Sequence, residues 1–188
     1  MKAPLTAPAH VAPREAGIEP FTLSIFTENW IGLLHRVTTI FTKRHINIDS
    51  FTTSESEIPG IYRFIILIHT TEEEVHKLRK QLDKIVGVIK AFVLREEDAV
   101  YQELAMYKVS TSNLSRGSIE RILREFHARV LHIEPDYLMI EKTGLPHETQ
   151  ALLRELEPFE VLGFSRSGVV AIARRPLHLR DYVEERRK

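Results

Sequence analysis

Two hydrophobic periods alternate along this chain, and they do so twice in the same order. Phe21 to Thr27 alternates with period two, as a strand does. Leu33, Leu34, Val37, Ile40 and Phe41 then recur at helical spacing, and Ile46 to Thr53 returns to period two. Pro59-Gly60 breaks the pattern as a turn. Ile61 to His69 (IYRFIILIH) is so nearly continuous in apolar residues that it reads as a central, covered strand. Thr70 to Glu74 opens a second helix whose acidic residues suit a helix N-terminus, with Val75, Leu78 and Leu82 as its buried stripe. Ile85 to Leu94 closes the series as a strand. The order is β-α-β-β-α-β, a split βαβ unit.

After the charged connection Arg95 to Ala99 the order begins again. Tyr101 to Ser110 reads as a strand, Asn113 to Gly117 as a turn, and Ile119, Ile122, Leu123 and Phe126 mark a helix. Val130 to Ile133 and Tyr137 to Ile140 are short strands. Leu145-Pro146 starts a helix carrying Leu152, Leu153 and Leu156, and Phe159 to Phe164 and Val169 to Ala173 are strands or one bent strand. The expected fold class is α+β: two tandem βαββαβ units over residues 21–95 and 100–175. A flexible Ala/Pro-rich tail is expected over 1–20, and a charged tail over 176–188 that is either a short helix or disordered. A sheet with helices on one face needs its other face covered, by the second unit or by another chain. Units this small are marginal alone, so an oligomer is the default expectation.

Composition removes several functions. Lys+Arg and Asp+Glu are both 26, so formal net charge is zero and the basic excess of a general nucleic-acid binder is absent. There is no cysteine, which excludes disulfides, thiolate nucleophiles and cysteine metal sites and fits a reducing compartment. No apolar run reaches membrane-spanning length. The first twenty residues lack the apolar core of a secretory signal, and Glu15 and Glu19 offset Lys2 and Arg14, which argues against a transit peptide. No P-loop, dinucleotide fingerprint, nucleophile elbow or zinc-protease motif is present. The nine histidines, at 10, 35, 45, 69, 76, 127, 132, 147 and 178, show no recognised metal spacing, so no metal site is expected. His35 falls beside the buried stripe of the first helix and reads as a surface residue or a neighbour of a ligand. No residue constellation points to catalysis.

The informative stretch is Glu28 to Val37 (ENWIGLLHRV). Gly32 at a helix entrance permits close backbone approach, and free N–H groups at a helix start can hold a carboxylate. Asn29 and Asn47 each offer an amide. Such a set suits a small zwitterion with an aliphatic side chain. The alternative is structural: Asn29 caps the helix, Asn47 serves a turn, and Gly32 relieves packing.

Residues 24 to 54 resemble the start of the small, regulatory subunit of acetolactate synthase. The matching positions are Glu28, Asn29, Gly32, Leu34, Arg36, Val37, Phe41, Asn47, Ile48 and Ser50. Glu103 to Val109 resembles the opening strand of that family's C-terminal domain, and Arg166-Ser167-Gly168 resembles its Arg-Ser-Gly signature. The resemblance covers roughly residues 21 to 175. It implies two ferredoxin-like domains, an N-terminal ACT domain that binds the effector and a C-terminal ACT-like domain. It further implies a homodimer or higher oligomer and a catalytic (large) subunit as partner, without nucleic acid or membrane. The small subunit is itself non-catalytic and cofactor-free. Thiamine diphosphate, Mg2+ and FAD belong to the catalytic subunit, which joins pyruvate to pyruvate or to 2-oxobutyrate in the cytoplasm. The small subunit raises that activity and confers feedback inhibition by valine, leucine or isoleucine. Carried over, Asn29, Trp30, Ile31, Gly32, Leu33 and Leu34 hold the effector from one chain, and Asn47 with Ile48 from the partner chain. Arg166, Ser167 and Gly168 serve either the partner contact or a tight turn. Trp30 and Ile31 depart from the smaller or more polar residues frequent at those positions; Trp30 either walls the effector pocket, which bears on which amino acid fits, or touches the catalytic subunit. The rival reading is a free-standing ACT-type sensor acting on another enzyme or a transcription factor.

Overall fold

The computed structural model describes residues 17–112 and 116–187. Most of the expected tail (1–16) and part of the expected turn at Asn113 to Gly117 (113–115) lie outside them.

The first unit consists of β1 (Glu19–Glu28), α1 (Leu33–Lys43), β2 (Ser50–Glu55), β3 (Ile61–Thr70), α2 (Glu72–Leu82) and β4 (Val88–Leu94). Its strands form an antiparallel sheet in the order β2-β3-β1-β4. The second unit repeats the order with β5 (Ala99–Ser110), α3 (Arg116–Glu125), β6 (Arg129–Ile133), β7 (Tyr137–Gly144), α4 (Pro146–Leu156) and β8 (Val161–Arg166), and its sheet runs β6-β7-β5-β8. Even the irregularity repeats: β4 skips one residue opposite Phe26/Thr27 of β1, and β8 skips one opposite Lys108/Val109 of β5. An extra strand, β9 (Val170–Ala173), pairs with the first residues of β5, and α5 (Leu179–Arg187) ends the chain.

Local chemistry explains the helices. The Thr71 hydroxyl accepts from the Glu74 amide at 3.3 Å, and Glu72, Glu73 and Glu74 occupy the first turn of α2, where they offset its positive end. Both helices of the first unit bury a stripe on one sheet face: Leu33, Val37 and Phe41 from α1, Val75, Leu78 and Leu82 from α2, against Leu23, Ile25, Ile66 and Ile68. In the second unit Leu152, Leu153 and Leu156 of α4 and Ile119 and Ile122 of α3 cover Ala105, Tyr107, Val109 and Ile140. The Tyr107 hydroxyl donates to the Thr149 carbonyl at 2.7 Å, and burial pushes its phenol above the usual range.

The strand alternation leaves Thr22, Ser24 and Phe26 of β1 on the face that the two helices do not cover. The chain covers that face itself. Leu179 and Val183 of α5 pack with Phe26, Ile61 and Ile89, and Tyr182 meets Phe92 edge-on at 5.6 Å between centroids. The Tyr101 hydroxyl at the start of β5 reaches Thr22, and Val169 is held against β2. Of the two alternatives for residues 176–188 the helix is the one that forms: residues 179–187 are helical, because Leu179, Tyr182 and Val183 fall on one side of LRDYVEERR. One expectation changes: the first strand starts before Phe21, since Glu19 and Pro20 already pair with Thr70 and His69. Among the described residues no helix is long and apolar enough to cross a membrane.

Leu179 is 4% exposed and belongs to the cluster on the second sheet face. Leu179→Ala is expected to lower stability by about 2–4 kcal/mol in urea unfolding; a loss of a few tenths would mean that α5 does not seal this face.

Candidate ligand-binding site

The loop from Asn29 to Gly32 carries the chain from β1 into α1. Gly32 is the N-cap of α1 and has φ +87°, a left-handed conformation that costs an L-residue about 1–2 kcal/mol. A Cβ there would meet nothing within 4 Å, so the glycine answers to backbone conformation rather than to crowding. The start of α1 contrasts with that of α2. It has no side-chain cap and no acidic residue in its first turn. The Leu33 amide turns back to the Trp30 carbonyl at 3.3 Å. Among the described residues the amides of Ile31 and Gly32 have no acceptor. The positive end of α1 is therefore left for something outside the unit to neutralise.

Beside this end lies an open cleft of about 570 Å³, lined by Gly32, Leu34, His35, Thr38, Ile48 and Phe51. Leu34, Ile48 and Phe51 make its apolar walls. The Thr38 hydroxyl shares its proton between the Leu34 and His35 carbonyls, both at 3.1 Å, which leaves its oxygen free to accept. The far wall is fixed from behind: the Asp49 amide donates to the Leu67 carbonyl at 2.9 Å, and the Asp49 carboxylate pairs with His69 Nδ1 at 2.7 Å. These bonds hold the Asn47–Asp49 segment on β3.

The structure brings Gly32, Leu34 and Ile48 together at this cleft. It adds His35, Thr38 and Phe51, of which sequence reasoning named only His35, as a surface residue or ligand neighbour. Thr38 follows Leu34 by one helical turn, which was the available signal. Asn29 and Asn47 are exposed and, among the described residues, hydrogen-bonded to nothing, and neither lines the cleft. Two expected residues point elsewhere. Leu33 is buried in the core, because it begins the stripe of α1. Trp30 lies against Gly87, where a Cβ would come within 2.6 Å of the indole. Its Nε1 donates to the Glu28 carboxylate at 3.0 Å and the Arg36 guanidinium sits 5.5 Å from its ring centre. Ile31 is fully exposed. Arg166 approaches Glu103, Ser167 bonds to Leu104, and Gly168 lies beside Ser50 and Thr52 of β2. Among the described residues no three His, Asp or Glu side chains converge as metal ligands.

Comparison with known proteins bears on the same residues. Residues 23–90 match the AHAS small subunit-like ACT domain, and residues 102–175 match the small subunit of acetolactate synthase. The acetolactate synthase small subunit of Mycolicibacterium smegmatis is 35% identical over 160 residues, covering 85% of this chain and 94% of that protein. That of Bacillus subtilis is 33% identical over 153 residues, covering 81% and 89%. The crystal structure of the Thermotoga maritima acetolactate synthase small subunit superposes with a TM-score of 0.78 at 27% identity, covering 85% of this chain and 99% of that one. The fold is thus two tandem ferredoxin-like ACT units, and the chain belongs to the family of acetolactate synthase small subunits.

Proposed function

We propose that this chain is the regulatory subunit of a cytoplasmic acetolactate synthase. It activates a thiamine-diphosphate-dependent catalytic subunit and confers feedback inhibition by a branched-chain amino acid, valine in the first instance. The observation that carries the reading is the uncompensated N-terminus of α1 beside an apolar cleft, in a chain of this family. The chemistry of the cleft fits a branched aliphatic zwitterion. The amides of Ile31 and Gly32 and the positive end of α1 suit its carboxylate. The Thr38 oxygen suits its ammonium, and Leu34, Ile48 and Phe51 suit its side chain. The cleft is open on one side, which supports an effector held between two copies of the chain, with the unpartnered amides of Asn29 and Asn47 contributed from opposite copies. The chemical step and its cofactors, thiamine diphosphate, Mg2+ and FAD, belong in this reading to the catalytic partner.

The test is acetolactate formation by the cognate catalytic subunit, with and without this chain, across a valine titration. Stimulation together with valine inhibition is expected. Valine binding without any effect on the catalytic subunit would instead favour a free-standing sensor. Trp30, the single tryptophan, lies two residues from Gly32 and reports binding independently by its fluorescence.

Two substitutions at one position separate charge from backbone strain. Gly32→Asp places a carboxylate where the effector's own carboxylate belongs, and is expected to abolish inhibition while stimulation persists. Normal inhibition of that enzyme would contradict the placement of the effector. Gly32→Ala adds no charge and is expected to lower stability by about 1 kcal/mol in urea unfolding.

A further inference from the structure

The segment Arg166 to Val169 ties the second unit to a single strand of the first. Arg166 approaches the buried carboxylate of Glu103, with Nε 3.7 Å from Oε1, and Thr149 donates its hydroxyl to the same carboxylate. The Ser167 amide donates to the Leu104 carbonyl at 2.9 Å, and its Oγ accepts from the Leu104 amide at 3.0 Å. The loop is thereby fixed to β5. From this base Val169 reaches β2: its amide donates to Ser50 Oγ at 3.0 Å, and its carbonyl accepts from the Thr52 hydroxyl at 2.9 Å. Gly168, at φ +79°, leaves no slack. A Cβ there would stand 2.9 Å from both Ser50 Oγ and Thr52 Cγ2.

Ser50 and Thr52 flank Phe51, and side chains on a strand alternate. Phe51 therefore lies on the helix side, at the cleft, while Ser50 and Thr52 hold Val169 on the other side. We propose that β2 is the transmission strand of the regulatory response, with Phe51 sensing the occupant of the cleft and Ser50 and Thr52 passing its position to the C-terminal unit. This rests on reading the cleft as the effector site. An occupant that displaces Phe51 carries Ser50 and Thr52 with it, because the three are consecutive on one strand. The loop has little room to yield locally, since even a methyl group at Gly168 would clash with both side chains and Ser167 is bonded twice to Leu104. The shift then either reaches β5 or breaks the two bonds to Val169, so the two arrangements of the chain differ in their affinity for the effector.

The test uses the reconstituted enzyme with Ser50→Ala/Thr52→Val. Valine is expected to bind within about tenfold of its normal affinity, as reciprocity of coupling allows, and stimulation persists while inhibition is lost. Ser50→Thr/Thr52→Ser, which keeps both hydroxyls, is expected to retain inhibition. Full inhibition in the first variant would overturn the proposal, as would loss of valine binding, which would make these residues part of the site itself. Absence of valine binding by the unaltered chain would overturn the effector reading instead. The strand then answers to amide exchange without any ligand. Phe51→Ala is expected to change exchange at Leu104 in the normal background and not in Ser50→Ala/Thr52→Val. The same change in both backgrounds, or none in the normal one, would overturn it.

Discussion

A four-stranded sheet with both helices on one side has a second apolar face that water must not reach. That constraint shapes the rest of this molecule. The helix side of the first sheet is sealed by α1 and α2. The other side, with Phe26, Ile61 and Ile89, is sealed by α5 and approached by the start of β5 and the loop before β9. The last residues of the chain thus complete the core of its first unit. The two units are not beads on a linker, because the C-terminal unit and the helix after it supply part of the cover that the N-terminal unit needs.

With its second face turned inward, the first unit keeps the start of α1 and the adjoining cleft open. Electrostatics then separates its two helices. The positive end of α2 is met by Thr71 and three glutamates from its own sequence, while α1 begins at a glycine with neither cap nor acid. A carboxylate supplied from outside is the complement that α1 lacks. The same strand that faces this cleft also carries the hydroxyls that hold Val169, so the cleft and the interdomain contact share one strand.

Much of this was legible in the residues. The repeated βαββαβ order follows from the change of hydrophobic period, and α2 announces itself by Thr71 and its glutamates. Gly32 was legible as a backbone position, because a glycine at a helix entrance signals an unusual conformation or a close approach. What stayed hidden depends on distant approach. Phe51 and Thr38 join one cleft only after β2 folds back beside α1. Ser50 looked like a motif residue without a task, since Val169 lies 119 positions away. Trp30 drew attention beside Gly32, yet its resting place is Gly87, which the α2–β4 turn brings to it. Helix α5 was legible only as one of two alternatives, because its three apolar residues become a packing stripe only where Phe26 and Ile89 await them.

Native-state amide exchange tests most directly whether the two units share one core. If α5 and the C-terminal unit complete the first sheet, the slowest amides of β1, β3 and β5 exchange through one common opening with one free energy. Separate openings, with the first sheet exchanging independently of β5 and α5, would contradict the account.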